Sequence, residues 1–159
     1  MKRTLGAVLV AVALVLAMVP VAQASTTRIP ITMTSNAFVG FVPGTEAITG
    51  NSYHSTGNVI VWSQTWGDPK LDGRVIVDVS WVFGGNGKHW WGTELWEPTA
   101  YPGEGFTCSV SGHWDRDTDV RTGSDVCHGF GEHLFGWQIR TDIVGDTASG
   151  FLFKPGDED

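Results

Sequence analysis

Five acidic residues in the middle of the chain are the side chains best suited to acid–base chemistry: Asp78, Glu94, Glu104, Asp125 and Glu132. A carboxyl group that is buried has a raised pKa, so it can donate or accept a proton near neutral pH. Nothing in the spacing fixes two of these groups at the separation that glycoside hydrolysis requires. We therefore expect them to lie on solvated strand faces, and we assign no catalytic residue.

The chain has five histidines: His54, His89, His113, His128 and His133. A zinc site needs three or four ligands at compatible spacing, such as two histidines four residues apart on a helix. The last two histidines flank a glycine-rich turn with Glu132 instead. The G-x-S-x-G pattern of a nucleophilic serine is absent, and the glycines at 84–87 lack the lysine of a phosphate-binding loop. We therefore predict no metal ion and no cofactor.

The segment from His89 to Trp96 is unusually rich in aromatic residues. On a strand, Trp91 and Leu95 face one way, whereas Trp90, Glu94 and Trp96 face the other. We assign Trp91 to the interior and Trp90 and Trp96 to the outer face. The segment could be core packing with cross-strand contacts, a surface that stacks on sugar rings, or the wall of an apolar pocket.

Two cysteines, Cys108 and Cys127, can be placed opposite each other in an antiparallel hairpin. The same register pairs Trp114 with Arg121 and leaves residues 116–119 as the connecting loop, which is an ordinary hairpin length. We therefore predict a disulfide bond between them. It closes a loop of about 20 residues and contributes about 3 kcal/mol by the chain-entropy relation.

The N-terminus has the pattern of a secretory signal peptide. Lys2 and Arg3 precede an apolar run, and Ala22-Gln23-Ala24 supplies a small-x-small cleavage site. We predict a signal peptide at residues 1–24, a single domain at residues 25–159 with a frayed tail at 156–159, and a location that is extracellular or periplasmic. An oxidising compartment of this kind favours the disulfide.

The charge balance argues against two classes of partner. Ten Lys and Arg stand against 17 Asp and Glu, which gives a net charge of −7. Nucleic acids and anionic membrane surfaces bind basic patches, so we expect neither as a partner. After residue 24 no apolar run approaches the ~20 residues of a membrane span.

Composition and periodicity indicate an all-β domain. The chain has 21 Gly and 8 Trp and is only 17% charged, whereas disordered chains have few aromatic residues and many charges. Apolar residues alternate with polar ones along residues 71–83, 106–114 and 135–143. Turn residues divide the chain into strand candidates at 28–34, 36–42, 53–65, 71–83, 88–97, 105–114, 120–130, 134–144 and 150–154. We predict an antiparallel meander closed as a barrel of about eight strands, with a two-sheet sandwich as the alternative.

Glycine-containing segments recur in order between residues 105 and 140: Ser109-Val110-Ser111-Gly112, Gly129-Phe130-Gly131 and Phe135-Gly136-Trp137. Their order and spacing resemble the later hairpins of allene oxide cyclase-like and dirigent-like barrels. The turn at Asp68-Pro69 also resembles uncharacterised secreted bacterial barrel proteins. The chain departs from the pattern by one extra residue between Gly131 and Gly136. The resemblance implies a barrel with a hydrophobic small-molecule pocket, and it carries over no catalytic or binding residue.

Three functions remain open on this basis. The first is non-catalytic binding of a small apolar or amphipathic ligand by a set of aromatic residues: Trp62, Trp81, Trp91, Phe106, Trp114 and Trp137. The second is an isomerase or cyclase that holds a reactive substrate in a dry cavity, with Glu94 or His113 as its polar group. The third is an extracellular glycan-binding or adhesion module that uses Trp90 and Trp96.

Overall fold

The computed structural model describes residues 27–85 and 87–156. The predicted signal peptide and residues 157–159 of the predicted tail lie outside these ranges. Within them the chain is all-β, without a helix, and forms ten strands: β1 (Arg28–Thr32), β2 (Ser35–Val42), β3 (Thr45–Thr49), β4 (Ser52–Thr65), β5 (Gly73–Gly84), β6 (Gly87–Pro98), β7 (Gly105–Asp115), β8 (Val120–Phe130), β9 (Gln138–Val144) and β10 (Thr147–Phe153).

The predicted strands correspond to nine of these ten, and the differences lie at turns. The sequence did not predict β3, which is exposed along its whole length and has no buried face to set an alternating pattern. The strand expected from residue 134 begins at Gln138, because Gly131 and Gly136 adopt positive φ angles of 97° and 84° and keep residues 131–137 in a loop. The last strand begins at Thr147 rather than at residue 150.

All ten strands belong to one antiparallel sheet. From β4 to β10 each strand pairs with the next along the chain, as expected for a meander. The N-terminal strands differ from that pattern, because β1 pairs with β10 while β2 and β3 both pair with β4. The N-terminal strands therefore flank the meander at both of its edges, β1 beside β10 and β2 and β3 beside β4.

The sheet curls into a half-barrel, and the predicted closed barrel is wrong in this respect. No ladder among the described residues joins β1 to β2, which are the two edges of the sheet. The two residues between them still connect these edges. The amide of Met33 donates to the carbonyl of Ala148 on β10, and the amide of Thr34 donates to the carbonyl of Thr65 on β4, each at 2.8 Å. We call this junction the seam.

One face of the sheet, the inner face, carries the core. Its fully buried residues include Leu71, Val75, Trp96, Phe106 and Leu134. The strands cross this core so that their turns lie at two ends. The turns between β5 and β6, β7 and β8, and β9 and β10 form the hairpin end, and the longer connections at 66–72, 99–104 and 131–137 form the loop end.

Two carboxylates organise the connections at the loop end. Oδ1 of Asp72 accepts hydrogen bonds from the amides of Trp66 and Gly67 at 2.6 and 3.1 Å. Oε2 of Glu104 accepts from the amide of His133 at 2.7 Å, and its other oxygen lies 2.6 Å from the His133 ring. These bonds satisfy backbone donors that have no strand partner, so Glu104 has a structural role here.

The predicted disulfide is confirmed. Cys108 on β7 and Cys127 on β8 are paired in register, their Sγ atoms are 2.06 Å apart, and Trp114 pairs with Arg121 as expected. Both cysteines are buried on the inner face, at 4% and 0% exposure. The bond is compatible with an oxidising location outside the cytoplasm.

Loss of this disulfide is expected to lower the free energy of unfolding by about 3 kcal/mol, because the unfolded chain regains the entropy of a closed loop. Denaturant unfolding with and without a reducing agent measures the effect. The matched control is the double variant Cys108→Ala, Cys127→Ala, which should be unaffected by the reducing agent. An equal midpoint for the oxidised and reduced wild-type protein would contradict this prediction.

Candidate functional site

A cavity of about 780 Å³ lies on the inner face, between the seam and the hairpin end. Met33 and Ala148 line it at the seam, and Val79 and Val110 line its centre. Several lining residues at the hairpin end, among them Arg121 and Asp146, are exposed, so the cavity opens to solvent there. Its volume falls within the range that small-molecule sites occupy, about 300–1,000 Å³.

Six tryptophan side chains line the cavity: Trp62, Trp66, Trp81, Trp90, Trp96 and Trp114. Trp66 and Trp96 make its floor, where they are 5% and 1% exposed and their ring centroids are 5.2 Å apart. Trp90 lies over Gly112 and Gly123, because a Cβ atom at either glycine would overlap its indole ring. These two glycines therefore leave the space in which the Trp90 ring is held.

Two carboxyl groups, Glu94 on β6 and Asp125 on β8, point into this aromatic cavity. We call them the carboxyl pair. The indole N–H of Trp96 donates to Oε2 of Glu94 at 2.9 Å, and the hydroxyl of Thr141 donates to Oδ2 of Asp125 at 2.8 Å. Asp125 is only 4% exposed, and its other oxygen, Oδ1, has no hydrogen-bond partner among the described residues. The buried indole N–H of Trp90 is also unpartnered.

The pKa values of the carboxyl pair are both raised. Burial, and then the negative charge of Asp125, raises the pKa of Glu94 from 4.5 to about 8, against the hydrogen bond from Trp96. Glu94 keeps some accessible surface because it borders the cavity, but most of its surroundings are protein atoms. Burial raises the pKa of Asp125 to about 6, against the hydrogen bond from Thr141. At neutral pH the pair therefore holds close to one proton and one negative charge.

Two cationic side chains lie at the hairpin end of the cavity. Arg121 is bound to Asp146, with 2.7 Å between Nη2 and Oδ1. Nζ of Lys88 lies over two rings, 4.1 Å from the Trp81 centroid and 4.9 Å from that of Phe83. Burial, and then the charge of Arg121, lowers the pKa of Lys88. The opening is therefore polar and carries charges of both signs, whereas the interior is aromatic and acidic.

No family model, no curated protein and no solved structure matches the chain. The resemblance to allene oxide cyclase-like and dirigent-like proteins therefore stays a prediction. The geometry of the cavity must carry the functional argument by itself.

The six residues predicted to bind a ligand are distributed over four places. Trp62, Trp81 and Trp114 line the cavity. Phe106 is fully buried beneath it and contacts Trp96 edge to face, with 6.5 Å between centroids. Trp137 packs against the core at the loop end, where Nζ of Lys70 lies 5.4 Å from its ring. Trp91 is 47% exposed on the opposite, outer face.

The facing assigned to β6 was therefore wrong. Its residues alternate as predicted, but Trp90, Glu94 and Trp96 face the cavity and Trp91 faces solvent. The reason is the register with β7, in which Trp96 lies opposite the buried Phe106. Because directly paired residues share a face, this register turns the even-numbered residues of β6 inward. The glycan-binding alternative loses the two tryptophans on which it was based.

The other chemically interesting residues lie outside the cavity. Asp78 and Glu132 are exposed, as predicted, and Glu104 binds the 131–137 loop. His113 is on the outer face, where its ring lies against that of His89 at a tilt of 39°, with 4.4 Å between centroids. Of the two residues considered for catalysis, only Glu94 reaches the cavity. Among residues 27–85 and 87–156, no group of three or more His, Cys, Asp or Glu could hold a metal ion. The same residues include no helix long and apolar enough to cross a membrane.

Proposed function

We propose that this protein binds a small apolar or amphipathic molecule in the tryptophan-lined cavity, without transforming it. The observation that carries the proposal is an open cavity of about 780 Å³ in a domain of this size, with six tryptophans in its wall. A wall that only stabilised the fold would be expected to close on itself, because protein interiors pack to high density. A concave, mostly apolar site with few polar groups is the usual form of a small-molecule site.

Secretion belongs to the same proposal. The predicted signal peptide supports it, and the buried disulfide is compatible with it. A secreted protein with an open aromatic cavity would be suited to carrying or sequestering poorly soluble molecules. The resemblance of residues 105–140 to ligand-holding barrels supports the same class of function.

The test uses N-phenyl-1-naphthylamine, a neutral apolar dye whose fluorescence rises in apolar surroundings. We expect the dye to bind one site per chain. Ala148→Phe should weaken this binding about tenfold or more, because Ala148 lines the cavity at the seam and a phenyl ring there would fill part of it.

The matched control is Ala47→Phe, since Ala47 is exposed on β3 and is not a lining residue. It should leave the affinity within about twofold of wild type. Thermal unfolding of both variants establishes that they are folded. Equal affinity of the two folded variants, or no binding by the wild-type protein, would count against the cavity as the binding site.

A second candidate function is an isomerase or cyclase, and the carboxyl pair is the observation that favours it. Two carboxyl groups whose pKa values are about 8 and about 6 provide, at neutral pH, one proton donor and one proton acceptor. Asp125 would accept a proton from a carbon next to a carbonyl group, and Glu94 would donate a hydrogen bond to the carbonyl oxygen. Turnover that stops with Asp125→Asn would separate this candidate from simple binding.

A further inference from the structure

We propose that the carboxyl pair of Glu94 and Asp125 binds the ammonium group of an amphipathic amine, whose apolar body lies against the tryptophan wall of the cavity. This inference rests on the proposed function, because it names the class of ligand that the cavity takes.

The buried carboxylate of Asp125 has no cationic partner among the described residues, and only one of its two oxygens accepts a hydrogen bond. Asp125 is 4% exposed, and its Oδ1 accepts no hydrogen bond from the described residues. Buried charges in proteins are normally paired, because removing an ion from water costs several kcal/mol that only an opposite charge or hydrogen bonds offset. An ammonium group brings both a positive charge and three N–H donors. An ammonium group beside Asp125 would therefore supply the opposite charge that this carboxylate lacks, and Glu94 lines the same cavity.

The described residues supply no cation beside the carboxyl pair. The charged residues that line the described cavity are Lys88 and Glu94 on β6, Arg121 and Asp125 on β8, and Asp146 in the turn before β10. Lys88 precedes Glu94 by six residues on β6, and Arg121 precedes Asp125 by four residues on β8. The Cα atoms of these two pairs are therefore about 20 and about 14 Å apart along their strands. Lys88 is held over Trp81, and Arg121 is bound to Asp146.

The surroundings of the carboxyl pair are aromatic. Trp90 and Trp96 precede and follow Glu94 on the inner face of β6, and Trp62 and Trp81 are part of the same wall. The faces of indole rings attract cations and repel anions. A neutral alcohol would leave the charge of Asp125 unpaired, and a carboxylate would add a second one.

The experiment compares two probes that differ only in the amine. Dansylcadaverine carries a dansyl group on a five-carbon chain that ends in a primary amine, and N-pentyl dansylamide has the same body without it. In fluorescence titrations at pH 7.5 we expect the amine to bind about tenfold tighter or more. Asp125→Asn should remove this preference and leave the affinity for the neutral probe within about twofold. Asp142→Asn, on the exposed face of β9, should change neither.

A second measurement needs no variant. When an ammonium group binds beside Glu94, the pKa of this residue falls from about 8, so a proton leaves the protein. Calorimetry of dansylcadaverine binding in phosphate and in Tris buffer at pH 7.5 should reveal release of up to about one proton, and the amine affinity should rise from pH 6 to pH 8. The neutral probe should release none.

The outcomes separate the two proposals. Equal affinity for both probes without proton release would overturn the amine inference and leave the cavity as a binding site for neutral molecules. Failure of both probes to bind would overturn the proposed function and the inference with it. If Asp125→Asn does not fold, proton release by the wild-type protein still decides the matter.

Discussion

Glu94→Gln is expected to abolish most of the loss of stability that the wild-type protein shows between pH 6 and pH 8. In the folded chain the pKa of Glu94 is about 8, whereas in the unfolded chain it returns to 4.5. Between these values the folded state holds a proton that the unfolded state has released, so the free energy of unfolding falls as the pH rises. At about 1.4 kcal/mol for each pKa unit, the loss amounts to roughly 5 kcal/mol at most.

The substitution isolates this effect because Gln has the shape of protonated Glu. Its amide oxygen can still accept the hydrogen bond from the indole N–H of Trp96. The variant should match wild type near pH 5 and exceed it in stability by several kcal/mol near pH 8.5. It should keep the smaller loss between pH 4 and pH 6 that arises from Asp125, whose pKa is raised from 3.8 to about 6.

Urea unfolding at a series of pH values measures these curves. Asp142→Asn is the control, since Asp142 is exposed on β9 and the curve of this variant should run parallel to that of wild type. Parallel curves for wild type and Glu94→Gln from pH 5 to pH 8.5 would contradict the prediction. They would mean that the Glu94 carboxyl is hydrated in the folded protein.

The sequence predicted the β7–β8 hairpin because that hairpin contains its own register marks. The cysteines, Trp114 and Arg121 agree on one pairing, and the short loop allows few others. It could not decide the facing of β6, because both faces of that strand carry tryptophan and the hydrophobic pattern is therefore nearly symmetric. The missing information was the β6–β7 register. Trp96 opposite Phe106 would have placed Glu94 on the inner face with Cys108.

The seam depends on contacts that no local pattern encodes. The segment from β1 to β2 changes its partner from β10 to β4 within two residues. The partners on β10 are 117 to 125 residues further along the chain, whereas those on β4 are 17 to 30 residues further along. Exposed apolar residues such as Phe38 and Phe151 lie on or next to both edge strands. The hydrophobic pattern of the sequence therefore did not show which side of each edge strand faces the core. The placement of the carboxyl pair also depends on long-range strand pairing. Glu94 lies opposite Cys108 and Asp125 lies opposite Val110, so both carboxyls line one cavity only because β6 and β8 pair with β7 on either side.

Gly92→Ala is expected to destabilise the protein by about 3 kcal/mol or more, because the site has no room for a side chain. Gly92 stands in the middle of β6, between Val79 on β5 and Val110 on β7. A Cβ atom there would overlap the carbonyl oxygen of Asp78 and lie 2.9 Å from the Cα of Val79. These are backbone atoms of a paired strand, so the clash can be relieved only when β5 and β6 move apart. Both strands contribute to the cavity wall, and dye binding should weaken with stability.

Gly40→Ala is the matched control for this prediction. Gly40 lies on the edge strand β2, and no atom would lie within 4 Å of a Cβ added there. In that position alanine should change the free energy of unfolding by less than about 1 kcal/mol, since it lowers the entropy of the unfolded chain without creating a clash. Denaturant midpoints of the two variants measure the difference. If both variants were equally stable, β5 and β6 would have to be more widely separated around Gly92 than this register requires, and the centre of the cavity between Val79 and Val110 would be correspondingly wider.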